Sequence, residues 1–166
     1  MCCCVDDYMF IIDGNNLLHT IFKLEEDSGV ISDVGLCRIL GRYFALTGEK
    51  GEIIFDGKGP PDKSGFDGIH NLEVFFAGPR ADTDTIIEDK IRVSTAPKGL
   101  TIISSDRRLR SAAHSRKATS IKSDVFWNDV QKQLSRKRPA KEPAEKRQGL
   151  NEGETEQWLK FFGFGQ

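Results

Sequence analysis

Short, continuous apolar runs, each ending in Asp or Gly, recur at four places along the chain. They span residues 9–13, 53–56, 74–78 and 100–106, and a weaker fifth candidate spans residues 118–122. Runs that are apolar on both faces are typical of strands in a parallel sheet that helices cover. The pattern therefore predicts a sheet of about five strands, most of them buried.

Apolar residues at helical spacing occupy the segments between these runs. One set directly follows the first run: Leu17, Leu18, Ile21 and Phe22. A second helix is predicted to begin at Ser32 or Asp33, which can cap it, and to end near Gly48. A third set follows the third run: Ile86, Ile87 and Ile91. Alternation of strands and helices favours right-handed crossovers and an α/β fold.

Residues 57–71 interrupt this alternation, because they are rich in Gly and Pro. They are predicted to form a long loop at the carboxyl end of the second strand. Long loops in compact domains are usually functional or disordered. The loop is therefore expected either to cover a substrate or simply to be mobile.

Composition and charge restrict the class of protein. A chain of 166 residues with 38% hydrophobic and 30% charged residues is about one globular domain long. The formal net charge of −1 argues against binding polyanions by bulk charge, so a nucleic-acid contact must use a local patch. No run approaches the roughly 18 apolar residues of a membrane helix, and the N-terminus lacks a secretory pattern. We expect a cytoplasmic protein with no membrane partner.

Both ends of the chain differ in composition from residues 8–130, which we predict to be the folded domain. Residues 1–7 hold three consecutive cysteines, and adjacent cysteines cannot supply the spaced ligands of a zinc site. A disordered, reduced tail is expected there, with an adventitious metal or redox role as the alternative. Residues 131–148 are predicted to be a basic linker. The acidic and then aromatic residues 149–166 are expected either to dock onto a protein partner or to cover this domain.

Carboxylates recur where the predicted strands end. They are Asp13, Asp56 and Asp106 after strands one, two and four, and Asp82, Asp84 and Glu88 in the helix after strand three. In a parallel sheet all carboxyl ends lie on one edge, where such folds bind ligands. Residues four apart share a helix face, so Asp84 and Glu88 can point at one site. Any one Asp could merely cap a helix or form a turn, but their coincidence favours a shared site.

Converging carboxylates favour a particular chemistry. Two of them about 4 Å apart repel by roughly 4 kcal/mol at an effective dielectric near 20, so a cation or a proton must intervene. Hard oxygen ligands without nearby His or Cys favour Mg²⁺ or Mn²⁺ over zinc. Such ions activate water and offset charge that develops on a phosphate. The predicted edge therefore suits phosphoryl chemistry.

Basic and amide residues flank this predicted site. The candidates for substrate contact are Asn15, Asn16, Ser105, Arg107, Arg108, Arg110 and Arg80, with Ser104 beside them. An arginine run is more often a solvated helix face. This one begins one residue after Asp106, which favours contact with phosphate.

Four short motifs resemble the YacP-like branch of the NYN domains, a PIN-like ribonuclease group. They are IIDGNN at residues 11–16, IFD at 54–56, ADTDTIIE at 81–88 and SSDR at 104–107. The resemblance covers roughly residues 8–130 and depends on the order and spacing of the motifs together. It implies a three-layer PIN-like α/β domain with strand order 3-2-1-4-5 and helices on both faces of the sheet. The Gly/Pro-rich loop and residues 149–166 do not match the family pattern.

The resemblance also implies an activity, an endoribonuclease that hydrolyses RNA phosphodiester bonds with Mg²⁺ or Mn²⁺. Asp13, Asp84 and Asp106 would be its catalytic metal ligands, and Asp82 and Glu88 would be less secure ones. Asp56 becomes an outer residue, because strand two lies beyond strand one from the switch point between strands one and four. RNA is the implied partner, including messenger RNA on the ribosome.

Other functions remain as alternatives or are disfavoured. The main alternative is a non-catalytic RNA- or ribosome-binding module with the same fold. A haloacid-dehalogenase-like phosphatase would need Asp-x-Asp after strand one, where this chain has Asp13-Gly14-Asn15. A response receiver would need Asp at Gly78, and no Gly-Lys-Ser/Thr loop indicates a P-loop NTPase.

Overall fold

The structure is a computed structural model that describes residues 9–27 and 29–136. The described residues up to Leu134 belong to one compact unit. The predicted cysteine tail, residues 137–148 of the predicted linker and the segment 149–166 lie outside the described residues. No helix within the described ranges is long and apolar enough to cross a membrane.

Strands and helices alternate along the described chain. The strands are β1 (Met9–Asp13), β2 (Lys50–Phe55), β3 (Leu72–Phe76), β4 (Leu100–Ile103) and β5 (Thr119–Ile121). The helices are α1 (Gly14–Leu24), α2 (Asp33–Thr47), α3 (Thr83–Val93), α4 (Arg107–Ser115) and α5 (Ser123–Ser135). Two short 3-10 turns occupy Ser64–Phe66 and Pro97–Gly99. Every predicted apolar run overlaps a strand, and α5 reaches into the region predicted as a linker.

The strands form one parallel sheet in the order β3-β2-β1-β4-β5. The central strand β1 pairs with β2 on one side and β4 on the other, and Ile12 lies beside Ile53 and Ile103. The implied order 3-2-1-4-5 and the α/β fold class are therefore confirmed. The connections diverge between β1 and β4, so this edge is the switch point at which ligands bind in such sheets.

Buried side chains cover both faces of the sheet, as a three-layer fold requires. One cluster joins Phe10 and Ile12 of β1 to apolar residues of α1, α2 and α5. The other joins Ile11 of the same strand to residues of α3 and α4. Successive residues of a strand point to opposite faces, so a strand covered on both sides must be apolar throughout. This is why the strands appear in the sequence as continuous apolar runs.

Helix α2 begins and ends at the predicted residues. The Ser32 hydroxyl caps its first turn by accepting a hydrogen bond from the Gly35 N–H at 3.1 Å. Gly48 ends it with a φ of 75°, a left-handed conformation that glycine adopts without strain.

The Gly/Pro-rich loop after β2 packs against the sheet. The Phe66 ring in its 3-10 turn contacts the Phe76 ring of β3, with centroids 5.6 Å apart. Gly59 has a φ of 72°, and a Cβ there would lie 2.6 Å from the Phe76 ring. The loop therefore forms a wall beside the carboxyl edge of the sheet.

Candidate active site

An acidic cavity of about 250 Å³ lies at the carboxyl edge of the sheet. Its lining residues are Asp13, Asn15, Asn16, Asp56, Asp82, Thr83, Asp84 and Asp106. The structure thus brings together five of the six carboxylates that the sequence places at this edge, and the one left out is Glu88.

Asp13 ends β1 and is the innermost acid, with 6% of its surface exposed. Its carboxylate accepts hydrogen bonds from the Asn16 N–H at 3.2 Å and from the Ser104 hydroxyl at 3.3 Å. Burial, together with repulsion by Asp84 and Asp56, raises its pKa to about 6. Gly14 follows directly, and a Cβ there would lie 2.5 Å from the Phe55 ring, so this close turn needs glycine.

Asp106 caps α4 and faces the same cavity. Its carboxylate accepts hydrogen bonds from the N–H groups of Arg108 at 2.7 Å and Leu109 at 3.4 Å. Its own N–H donates to the Ser104 hydroxyl oxygen at 3.1 Å. Ser104 is fully buried and bridges Asp106 to Asp13. One serine therefore links the carboxylate of Asp13, at the end of β1, to the backbone of Asp106, which follows β4.

Asp84 occupies the first turn of α3 and is half-buried. Desolvation and the charges of Asp106, Asp82 and Asp56 raise its pKa above the ordinary value, and the nearby Arg108 guanidinium opposes them. Repulsion by three other carboxylates places Asp84 among them. The residue that caps α3 is Asp82 and not Asp84, so helix capping does not engage the Asp84 carboxylate, which can meet a ligand.

Asp82 and Asp56 also line the cavity, but hydrogen bonds engage them. Asp82 caps α3 by accepting from the Thr85 N–H at 2.7 Å, and hydrogen bonds from Thr85 lower its pKa. Asp56, at the end of β2, accepts from the Thr83 hydroxyl and from the Asn15 amide at 2.5 and 3.1 Å. An Asp that caps a helix can therefore also belong to the shared site, because the capping hydrogen bonds orient its carboxylate.

Glu88 is not among the described residues that line the acidic cavity. It pairs with Arg108 through two contacts, Oε1 to Nε and Oε2 to Nη2, each of 2.6 Å. Arg80, Arg107 and Arg108 are exposed, and the half-buried Arg110 keeps an Nε with no hydrogen-bond partner among the described residues. Arg80 and Arg107 are therefore more accessible to a phosphate than Arg108, which is already paired with Glu88.

The predicted amide and serine candidates act as a scaffold behind the acids. The Asn16 Oδ1 accepts from the Ser105 N–H at 3.0 Å and from the Ser123 hydroxyl at 2.7 Å. The Ser123 N–H in turn donates to the Ser105 hydroxyl oxygen at 3.2 Å. Thr83 and Ser123 were missed by the sequence reasoning. Thr83 lies between the two acids of its motif, which was a usable signal, whereas nothing local marks Ser123.

Comparison with known proteins agrees with this geometry. The family profile described as the YacP-like NYN domain matches residues 10–161, which is most of the chain. This chain belongs to the YacP-like NYN domain family. The family has a PIN-like fold of nuclease type, a class of fold that supports ribonuclease activity.

Two solved structures resemble this YacP-like NYN domain. The crystal structure of Rae1 (YacP) from Bacillus subtilis is 21% identical, with a TM-score of 0.67, and the match covers 93% of this chain and 92% of that one. A point mutant of the same Bacillus subtilis protein gives 17% identity and a TM-score of 0.59 over 77% of each chain. At sequence identities this low, the similarity establishes a shared fold and nothing further. No curated protein matches the chain.

The acidic cavity of this YacP-like NYN domain suits a hard divalent cation. Its lining supplies carboxylate and amide oxygens, and no His or Cys occurs among the described residues that form it. Burial raises the pKa of Asp13 and Asp84, and neighbouring carboxylates raise it further, so a bound cation would stabilise their ionised forms. Within residues 9–27 and 29–136, no three His, Cys, Asp or Glu side chains already form a metal cluster. The carboxylates would therefore have to draw together to hold an ion.

Proposed function

We propose that this YacP-like NYN domain is an endoribonuclease that hydrolyses RNA phosphodiester bonds with Mg²⁺ or Mn²⁺ held by Asp13, Asp84 and Asp106. The observation that carries the proposal is the meeting of these acids in one cavity, where burial and mutual repulsion raise the pKa of Asp13 and Asp84. Binding of a cation relieves both effects. The nuclease-type fold of the family supports the reaction class.

The residues of the chain prepare the site, and the ion supplies the chemistry. Ser104 links the Asp13 carboxylate to the backbone of Asp106, and Thr83 anchors the turn that carries Asp84. A bound ion would activate water and offset the charge that develops on the phosphate. Asp82 can be a further ligand because it lines the same cavity, whereas Glu88 would first have to leave Arg108.

RNA, including messenger RNA on the ribosome, is the proposed substrate. Membership of the YacP-like NYN family supports RNA as the substrate. The exposed Arg107 and Arg80 offer contacts for phosphates near the cavity. The ribosome comes from the family resemblance alone, and a cytoplasmic location stays a prediction from the hydropathy pattern of the sequence. A protein partner for residues 149–166 stays a prediction, since those residues lie outside the described structure.

An RNA cleavage assay tests this proposal. Protein stripped with EDTA is mixed with single-stranded RNA and Mn²⁺ or Mg²⁺, and wild type is compared with Asp13→Asn, Asp84→Asn and Asp106→Asn. We expect each substitution to lower the cleavage rate by about 100-fold or more, because a lost ligand removes the ion that supplies the chemistry. Asp67→Asn is the matched control, since Asp67 is exposed and does not line the cavity.

Two outcomes would contradict the proposal. Equal cleavage by wild type and the three variants would point to a contaminating nuclease. RNA binding without cleavage by the wild type, in either metal, would instead favour the non-catalytic RNA-binding module.

A further inference from the structure

A larger cavity adjoins the acidic one on the α1 and α2 side of the sheet. Its volume is about 850 Å³, and we call it the apolar groove because apolar side chains prevail in its lining, among them Leu18, Phe22, Val30, Phe66 and Phe76. Asn15 and Asp56 line both cavities. A ligand that reaches the acidic cavity therefore lies next to the apolar groove.

The charge of the apolar groove does not suit phosphate. No Lys or Arg occurs among its described lining residues, and Asp33 and Asp56 are its charged ones. The described lining itself offers an anion no cation, and the nearby Lys63 ammonium lies over the Phe76 ring, 5.2 Å from its centroid.

An uncharged planar group, in contrast, meets aromatic and aliphatic walls. The ring nitrogens of His19 and the O–H of Ser32 offer hydrogen-bonding groups at the same wall, whereas the Asn15 amide is already hydrogen-bonded to Asp56. This mixture is typical of a pocket for a flat, polar-edged ring.

Phe22 is the residue best placed to meet such a ring. It lies on α1 with 62% of its surface exposed, although Leu17 and Ile21 of the same helix are buried. Val30, in the connection between α1 and α2, is 84% exposed. Since both side chains are mostly exposed, the packing of the core does not explain why they lie at the groove. An exposed aromatic ring beside a cavity can stack on a base of single-stranded nucleic acid.

We propose that the apolar groove is a nucleobase subsite, in which an unpaired base of an RNA strand stacks on Phe22 while a phosphate of that strand lies at the acidic cavity. The inference rests on the proposed function for its substrate and deepens it by giving an unpaired base of that RNA a binding site of its own. A base within a duplex is already stacked and paired, so it cannot enter the groove. The two adjoining cavities thus separate the uncharged base from the charged backbone.

A fluorescence experiment with the full chain tests this subsite. Single-stranded RNA that carries 2-aminopurine at successive positions is titrated with protein in Ca²⁺, and the RNA is checked for cleavage afterwards. Stacking is expected to quench the fluorescence at one or two positions. Phe22→Leu keeps an apolar side chain but removes the ring, so we expect it to abolish this quenching and weaken binding about tenfold.

Phe75→Leu is the matched control for Phe22→Leu. Phe75 is 39% exposed and lies on β3 outside the groove, where its ring contacts the Lys90 ammonium. This variant should bind and quench like wild type, and a duplex of the same sequence should bind at least about tenfold more weakly. Unchanged quenching by Phe22→Leu, equal binding of the duplex, or no binding of RNA would each overturn the subsite.

This experiment separates the subsite from the nuclease. Position-specific quenching that Phe22→Leu abolishes, in a protein that never cleaves RNA, would retain the subsite and reject the proposed activity. Cleavage of RNA together with unchanged binding by Phe22→Leu would reject the subsite alone.

Discussion

The carboxylate of Asp56 accepts two hydrogen bonds from Thr83, one from its backbone N–H at 3.2 Å and one from its hydroxyl at 2.5 Å. Asp56 follows β2, and Thr83 is the first residue of α3. The pair therefore ties the edge of the sheet to the turn that carries Asp84. Because Thr83 is only 3% exposed, water cannot readily replace Asp56 as its partner.

Replacing Thr83 by Val should loosen this tie without changing the shape of the side chain. We expect a loss of about 1–2 kcal/mol in the free energy of unfolding, because a buried hydrogen bond to a charged group is removed. Mn²⁺ affinity should also fall, because Asp84 loses its support. Urea unfolding and Mn²⁺ titration measure the two effects.

Two further variants control the Thr83 prediction. Thr83→Ser keeps the hydroxyl and should restore most of the Mn²⁺ affinity. Thr119→Val, at an exposed position on β5, should change neither property. Mn²⁺ binding by Thr83→Val equal to that of wild type would show that the tie does not position Asp84.

The raised pKa of Asp13 predicts how stability depends on pH in the absence of metal. Asp13 has an ordinary pKa of 3.8 in the unfolded chain and about 6 in the folded one, so its ionised form disfavours folding and its protonated form does not. Its contribution to stability therefore falls as the pH rises from about 4 to 6. A shift of this size corresponds to a penalty of up to about 3 kcal/mol above pH 6.

Asp13→Asn removes this penalty, and weaker hydrogen bonds offset part of the gain. In EDTA the variant should be more stable than wild type by about 1–2 kcal/mol at pH 7.5, and the gain should vanish near pH 4. Urea unfolding at several pH values measures the difference. A difference that does not change with pH would contradict the assignment of the raised pKa to Asp13.

Neighbouring arginines should contribute unequally to RNA binding. Arg108 is already paired with Glu88, whereas Arg107 forms no salt bridge within the described part of the chain. Arg107→Gln should lower the slope of log affinity against log salt by about 0.7, the value for one phosphate contact on a single strand. Arg108→Gln should lower it less. An equal or larger effect of Arg108→Gln would reverse this ranking.

Local patterns in the sequence predicted the five strands and the first three helices, but not α5. The strands were predicted because a sheet covered on both faces leaves continuous apolar runs, and Ser32 and Gly48 marked the ends of α2 through their capping chemistry. The strand order could not follow from periodicity, because pairing between strands is not a local property. It came from the family resemblance and is confirmed.

The candidate site was predictable only in part. Strand-end aspartates could be located because parallel strands share one carboxyl edge. The contact between Asn16 and Ser123 joins residues 107 positions apart, so no local pattern marks it. Helical spacing placed Glu88 on the same face as Asp84, but its pairing with Arg108 depends on how α3 and α4 pack. Such details arise from tertiary contacts.

Diffraction from a crystal grown with Mn²⁺, recorded at the manganese absorption edge, tests the central claim most directly. It locates the ion without requiring catalysis, substrate or a partner. We expect anomalous density in the acidic cavity, within coordinating distance of Asp13, Asp84 and Asp106, and none there in crystals of Asp13→Asn. Density only elsewhere on the protein, or an empty acidic cavity at a Mn²⁺ concentration that supports RNA cleavage, would contradict the aspartate-held metal site.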